Sequence, residues 1–566
     1  MRATKMTKAI SNTRLIVAMA VLLFTAAAYG AAPGISAGTG AAVTFNLTAQ
    51  AAFLNQPDGA AVYSWGYGCA AGFSPTFLPA AIPAPAGGCP LMQVPGPTLI
   101  VTEGQRVTVN LTNGLPIPAG NTSILFPGFQ VSTTGGAPGL LTQEATPAVA
   151  THTVTYTFTA SQPGTHAYYS GTQGDLQVEM GLYGAIIVLP ASVPSACTGG
   201  LHAANVLVKN SWSENDFRLA AAAYDHPGSC YDREYLFQWA EMDSRIHQQA
   251  LAQVGDPARV AACAVSPTNK GCSLEVQTEP YHPAYFLING RSMPDLMDAN
   301  YAAEYPHQPY NGNPHTHPGE LVLIRTIGQG RWQHPFHEHA NHVRILARDG
   351  NLILSPTTPS QNLAGILMFN TDTTPGQAFD GIFYFTGRGL NWDPYGHHPN
   401  DTNDPLASPS CSPDTNGYYT VNSPSPAPVH AINYYEWCQD HNKPLQGAPF
   451  GDVQAGGPAT LPDPNILTNG AWYNGSPYLG PDATLRGSAP ACVGNPYGAT
   501  PGNPLNAGCT TMLPSTTQAN PAEERGWAFM WHSHNEREIT TNNVFPGGML
   551  MMLLVDSREF VIDESM

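Results

Sequence analysis

Apolar and polar residues alternate in short runs along much of the chain. Residues 43–47, 107–111 and 153–158 place apolar side chains two positions apart, and turns rich in Pro and Gly separate such runs. A period of two is typical of half-buried β-strands, because successive side chains point to opposite faces of a sheet. The pattern predicts an all-β fold with many short strands and no long helix.

The strand pattern falls into two blocks, which predict two β-sandwich domains. The first block covers residues 41–190, and the second begins with residues 275–390. Residues 191–274 between them are interpreted as a connecting segment that contains a short helix around residues 236–250.

A segment without strand pattern interrupts the second block. Residues 391–525 are rich in Pro, Gly, Asn and Ser, and a compact domain rarely carries a bare loop of that length. We predict that this segment is an insertion stapled by disulfides. The pattern of apolar strands returns over residues 526–558, which are expected to complete the second domain.

The first 32 residues have the layout of a secretory signal peptide. Basic residues at positions 2, 5, 8 and 14 are followed by an apolar run over residues 15–28 and by small residues at 30–32. The apolar run is short for a membrane helix, and no later run reaches the roughly 18 apolar residues that a span requires. We expect a secreted, periplasmic or cell-surface protein without a membrane span.

Charge and cysteine content narrow the choice of partners and compartment. The net charge of −18 gives no electrostatic basis for binding nucleic acid. The ten cysteines of an exported chain predict disulfide bonds rather than free thiols. Their order favours local pairs, namely Cys69–Cys89, Cys197–Cys230, Cys263–Cys272, Cys411–Cys438 and Cys492–Cys509.

Two distant segments each contain histidines two residues apart. His337 and His339 form one pair, and His532 and His534 form the other. Residues two apart in a strand face the same side, so each pair can present two imidazoles to one site. Imidazole binds copper, zinc, iron or nickel, and neither pair brings a thiolate that would narrow the choice. These four residues are the candidate metal ligands, and His334 or Tyr169 could add a further one.

These two segments resemble the third and fourth copper motifs of multicopper oxidases, HPxHLHGH and HCHxxxHxxxGM. Residues 94–107 resemble the opening of that family's first domain, and residues 181–188 resemble its closing strand. The resemblance implies cupredoxin-like Greek-key sandwiches, copper as the cofactor and oxidoreductase chemistry. Two-domain members of the family form trimers, so the resemblance also raises the prospect of a homo-oligomer.

Several ligand positions of the family pattern are lost in this chain. Residues 125–128 read LFPG where the family has HWHG, and Tyr169 and Gly171 replace the histidines of the second motif. Ser533 stands at the position of the type 1 copper cysteine, and the histidine that should follow is replaced within residues 537–538. A blue copper site needs the cysteine thiolate. We therefore expect no type 1 copper and a reduced number of ions.

Two classes of function remain in view. The first is an exported protein that binds copper or another transition metal at the reduced histidine site and has an oxidoreductase activity unlike that of a blue laccase. The alternative is a non-enzymatic structural or binding protein on a decayed cupredoxin scaffold.

The remaining residues near the histidine motifs are not expected to bind metal. Strand register predicts that Glu338 faces away from His337 and His339. His315 and His317 are interpreted as solvated loop residues.

Overall fold

The computed structural model describes most of the two predicted sandwiches. The described residues are 31–147, 152–198, 215–266, 271–317, 320–356, 362–383, 385, 412–413, 419–420, 527–555 and 562–564. Nearly all of the predicted insertion at 391–525, including the proposed pairs Cys411–Cys438 and Cys492–Cys509, lies outside these residues.

The first sandwich is built from two five-stranded sheets. Its strands are β1 (Gly34–Ser36), β2 (Ala42–Asn55), β3 (Ala61–Cys69), β4 (Thr76–Leu78), β5 (Leu99–Thr102), β6 (Arg106–Asn113), β7 (Ser132–Gly135), β8 (Ala137–Pro138), β9 (Gln143–Glu144), β10 (Thr153–Thr159), β11 (Gly164–Tyr169) and β12 (Tyr183–Leu189). One sheet has the order β11-β12-β5-β1-β4 and the other has the order β3-β2-β6-β10-β7, while β8 and β9 form a separate hairpin.

Alternating burial explains why this part of the chain forms a sandwich. Along β6 the side chains of Val107, Val109 and Leu111 are buried, and the residues between them are partly exposed. Strand β10 pairs antiparallel with β6 and buries Tyr156 and Phe158 on the same face. These side chains belong to one apolar core, so the period-two pattern of the sequence is the pattern of a sheet with one face in that core.

The second sandwich follows the same plan. Its strands are β13 (Arg233–Met242), β14 (Tyr285–Ile288), β15 (His315–Thr316), β16 (Val322–Gly328), β17 (His334–Glu338), β18 (Val343–Arg348), β19 (Asn351–Leu352), β20 (Leu367–Met368), β21 (Asn370–Thr373), β22 (Ala378–Phe383), the separate pair β23 (Ser412–Pro413) and β24 (Tyr419–Thr420), β25 (Trp527–Ser533) and β26 (Leu550–Val555). One sheet has the order β14-β13-β16-β22-β18-β19, with β20 beside β18, and the other has the order β15-β26-β25-β17-β21. The predicted fold class, all-β with two cupredoxin-like Greek-key sandwiches, is confirmed.

Strand β13 corrects the interpretation of residues 191–274 as a connecting segment with a helix around 236–250. β13 pairs with β16 and β14, and all ten of its residues are buried. A short apolar run cannot be assigned to helix or strand by periodicity alone, and burial on both faces decides for strand here. The helix begins only at Ser244, where the side chain of Asp243 caps it by accepting a hydrogen bond from the Arg245 N–H at 3.0 Å.

Helices are few among the described residues, as the composition predicted. The α-helices there are α1 (Gly174–Gln177), α2 (Ser244–Val254) and α3 (Pro257–Val265). No helix in the described ranges has the length and apolar character needed to cross a membrane.

Three of the predicted disulfides are present in the described residues. They join Cys69 to Cys89, Cys197 to Cys230 and Cys263 to Cys272. The predictions for these three pairs are confirmed, and disulfides of this kind persist in oxidising compartments.

Buried polar contacts join the two sandwiches. Asp380 on β22 accepts hydrogen bonds from the hydroxyl of Thr165 on β11 at 2.6 Å and from the Thr165 N–H at 3.1 Å. Gln329, which follows β16, donates to the carbonyl of Gly184 on β12 at 2.7 Å. These contacts involve the sheet of the second sandwich that contains β16 and β22. Strands β17 and β25 lie in its second sheet, and the candidate site lies on that sheet.

Candidate metal centre

Strand pairing brings the two histidine pairs together. Strands β17 and β25 are antiparallel neighbours, and His337 lies directly opposite His532 in their register. Phe336 and Trp531 point into the apolar core of the sandwich. The alternation of side chains therefore directs the histidines of both strands to the opposite face of the sheet.

The four imidazoles form one cluster. Ring centroids of His337 lie 4.8 Å from His339, 5.4 Å from His532 and 4.8 Å from His534. The His532 ring lies 5.3 Å from that of His339 and 5.5 Å from that of His534. Nitrogen atoms of His337, His339 and His532 all lie within 4.8 Å of one another. The predicted convergence of the two strands is therefore present in the fold.

One nitrogen pair has the spacing of two ligands on a single ion. The Nε2 atoms of His339 and His532 are 3.3 Å apart. Two imidazole nitrogens that each bond a tetrahedral ion at about 2.0–2.1 Å are separated by about 3.3 Å. His532 donates its Nδ1–H to the carbonyl of Ser533 at 2.7 Å, which leaves the Nε2 lone pair directed into the cluster. The residues present fit a transition-metal ion.

Burial keeps the inner imidazoles neutral. The pKa of His337 is lowered to about 3, first by burial and then by repulsion from His339, His532 and His534. Burial also lowers the pKa of His532, against a smaller opposing effect of its hydrogen bond to Ser533. Neutral imidazole is the form that binds metals. The His534 side chain is exposed, so one side of the cluster is in contact with solvent.

His334 does not join this cluster. Its Nδ1 lies 2.8 Å from Oε2 of Glu538, and its Nε2 lies 2.9 Å from Oε2 of Glu241. Both ring nitrogens are engaged by carboxylates on opposite edges of the ring. In this arrangement neither nitrogen is available to a metal ion.

The position of the family's type 1 copper does not fit that ion. The hydroxyl of Ser533 donates to Oε2 of Glu538 at 2.5 Å, in place of a thiolate ligand. Glu538 stands where the pattern HCHxxxHxxxGM has a histidine. His334 and Met549 align with two other type 1 ligand positions of the motif, and both are buried. A serine hydroxyl, a carboxylate and an imidazole with both nitrogens hydrogen-bonded do not make a blue copper site.

The other residues singled out from the sequence lie away from the cluster. Glu338 is fully buried and accepts a hydrogen bond from Thr371 at 2.9 Å on the core side of the sheet, as its register predicted. Tyr169 lies on β11 of the first sandwich, where its backbone pairs with Leu125. His315 and His317 are each only 1% exposed, so their interpretation as solvated loop residues is wrong. Strand β15, which begins at His315, pairs with β26 and buries that loop.

Glu241 is the main residue that the sequence analysis missed. It lies on β13, in the segment taken as a connection, and it is 2% exposed. A carboxylate in a strand that is buried along its whole length indicates a paired charge, because acidic side chains are rarely buried alone. Its partner His334 is 93 residues away in sequence, which is why spacing could not reveal the pair.

Part of the first sandwich is similar to known proteins. Residues 92–192 match the family model described as multicopper oxidase. Over 101 residues the chain is 35% identical to multicopper oxidase MCE of Talaromyces pinophilus, which covers 17% of this chain and 15% of that protein. Over 98 residues it is 32% identical to laccase abr2 of Aspergillus fumigatus, which covers 17% of this chain and 16% of that protein. The matched part is thus less than a fifth of either relative.

Comparison with solved structures finds proteins of low overall similarity. The blue copper oxidase from Nitrosomonas europaea is 13% identical, with 90% of this chain and 85% of that chain covered and a TM-score of 0.40. The copper nitrite reductase from Nitrosomonas europaea is 18% identical, with 61% of this chain and 86% of that chain covered and a TM-score of 0.34. The fold assignment above rests on strand order. The similarity to multicopper oxidases rests on residues 92–192, where the chain matches that family's model.

Proposed function

We propose that this chain is an exported copper protein that holds about one ion at His337, His339, His532 and His534. The observation that carries the proposal is the 3.3 Å separation of the His339 and His532 Nε2 atoms, which suits two ligands of one ion. Copper is the metal that the family implies, and zinc is the principal competitor for a site of imidazoles alone. Bound copper would supply one-electron redox chemistry at a site that His534 leaves open to solvent.

The ligand set argues against the reaction of a blue laccase. The thiolate that carries electrons into the cluster is replaced by Ser533, and two of the family's four histidine motifs are lost over residues 125–128 and 169–171. We propose a single-ion oxidoreductase whose substrate reaches the metal directly. Export is supported by the three disulfides and by the signal-peptide layout of the first 32 residues.

Metal analysis of protein purified without chelator tests this function. The protein should bind about one Cu²⁺ per chain, with electron paramagnetic resonance showing nitrogen ligands and with no intense thiolate-to-copper band in the visible spectrum. The double variant His337→Ala/His532→Ala should bind none. His342→Ala is the matched control, because His342 is half-buried beside Phe369 but lies outside the cluster. Copper retained by the double variant would refute the proposed site.

The alternative is a non-enzymatic binding or structural protein. The observation that favours it is the loss of the thiolate at Ser533 together with the first two histidine motifs. This alternative predicts a wild-type protein that binds no transition metal above trace level, with an unchanged fold.

A further inference from the structure

A buried ion triad joins three parts of the second sandwich. Glu241 on β13, His334 at the start of β17 and Glu538 after β25 are 2%, 0% and 1% exposed. The carboxylate oxygens lie 2.9 Å and 2.8 Å from the two ring nitrogens of His334. Two carboxylates thus clamp one imidazole ring at both of its polar edges.

The geometry defines the charge of His334. A neutral imidazole has one N–H and one lone pair, and the lone pair would face a carboxylate that can only accept. Both contacts are satisfied when both nitrogens carry a proton, so His334 is an imidazolium. Burial alone would lower its pKa, but the hydrogen bonds and charges of Glu241 and Glu538 prevail and raise it to about 9.

Backbone donors hold Glu241 in place. Its Oε1 accepts hydrogen bonds from the N–H groups of Arg331 at 2.7 Å and Trp332 at 2.9 Å. The hydroxyl of Tyr281 adds a contact at 3.2 Å. Glu241 is therefore hydrogen-bonded to the loop between β16 and β17.

Glu538, at the other end of the triad, contacts the segment that carries the candidate ligands His532 and His534. Glu538 accepts hydrogen bonds from the Ser533 hydroxyl at 2.5 Å and from the side-chain amide of Asn535 at 2.9 Å. Ser533 lies between His532 and His534, and His334 lies three residues before His337. The triad thus links the start of one ligand-bearing strand to the end of the other.

We propose that Glu538, held in place by His334 and Glu241, is a positioning residue that sets the geometry of the four-histidine site through Ser533 and Asn535. The inference rests on the proposed metal function. In this chain an imidazolium takes the place that a metal ion would hold at this end of the sandwich, and it fixes the ligands of the neighbouring site. Carboxylates that orient metal-binding groups from outside the ligand set typically contribute about 10- to 100-fold in metal affinity.

Two variants test the positioning role, one at Ser533 and one at Glu538 itself. Ser533→Ala removes the bond from Glu538 to the ligand-bearing segment and leaves the His334 pair intact. Glu538→Gln keeps the shape of the side chain and removes its charge. Both should weaken Cu²⁺ binding by about 10- to 100-fold in chelator competition and should shift the copper signal in electron paramagnetic resonance.

Thr371→Val is the matched control. It removes the buried contacts of one hydroxyl in the same sheet, to Glu338 at 2.9 Å and to the Phe336 carbonyl at 3.4 Å. Thermal unfolding of the metal-free proteins should show a comparable loss for Thr371→Val and Ser533→Ala, while only Ser533→Ala changes copper affinity and spectrum.

The outcomes separate the two proposals. Wild-type protein that binds no copper overturns the metal function and the positioning role with it. Wild-type protein that binds copper, with Ser533→Ala and Glu538→Gln matching Thr371→Val in affinity and spectrum, overturns the positioning role alone and leaves the triad as a structural cross-link.

Discussion

At the scale of single residues, burial sets the protonation of the candidate ligands. His337 and His532 are only 8% and 7% exposed, and both have lowered pKa values. An ordinary exposed imidazole has a pKa near about 6.5 and competes with metal for its lone pair below that pH. Both inner histidines therefore stay neutral at lower pH than an exposed imidazole does, and His337 has a pKa of about 3.

This protonation predicts an unusual pH dependence of metal binding. Between pH 7.5 and 5.5, the Cu²⁺ affinity should fall much less than it does for four exposed histidines, because His337 keeps a pKa of about 3. Chelator competition at the two pH values measures the change. A loss as steep as that of a histidine-tag peptide under the same conditions would contradict the burial argument.

The imidazolium of His334 predicts the opposite behaviour for folding stability. Its pKa is about 9 in the folded protein and near about 6.5 in the unfolded chain. The folded state therefore binds more protons between these values, so its contribution is complete below about pH 6.5 and is lost as the pH rises towards 9. Urea unfolding of metal-free protein at pH 6 and pH 9.5 should show this loss. His334→Gln, which cannot titrate, should lack that component.

At the scale of secondary structure, the strands with alternating burial could be predicted from the sequence, and β13 could not. Strands such as β6 and β10 expose one face, so their period of two is visible. β13 is buried on both faces, and its sequence REYLFQWAEM does not alternate between polar and apolar residues. The convergence of the two histidine pairs followed from their spacing and the family resemblance. The triad did not, because Glu241 reaches His334 only through sheet packing.

The position of β13 in the core predicts a large effect of one substitution. Trp239 is fully buried, lies 4.7 Å from the ring of Phe336 and stacks near His334. Trp239→Ala should lower the free energy of unfolding by about 3–5 kcal/mol. Trp332→Ala is the control in the same sandwich, because Trp332 is 36% exposed and its loss should cost less. Equal effects of the two substitutions would mean that residues 233–242 contribute little to the core.

At the scale of the whole molecule, the first described residues help to join the two sandwiches. Ala31 is 4% exposed and Ala32 is completely buried. Ala32 packs in one cluster with Ala185 and Ile187 of the first sandwich and with Leu236 and Ile327 of the second. Cleavage after residue 32, as the sequence boundary suggested, would remove Ala32 from this cluster and Ala31 from its contact with Ile82 and Phe217.

We therefore predict that the exported protein begins at Ala31. Small residues at positions 28 and 30 suit a signal peptidase, and this cleavage leaves both buried alanines in place. A form that lacks Ala31 and Ala32 should lose roughly 1–2 kcal/mol of unfolding free energy. The methyl group of Ala32 leaves the junction between the sandwiches, and that of Ala31 leaves its contact with Ile82 and Phe217. Intact mass spectrometry of the exported protein locates the cleavage site, and urea unfolding compares the two forms. An exported chain that begins at Pro33, with the stability of the longer form, would show that the two alanines do not hold the sandwiches together.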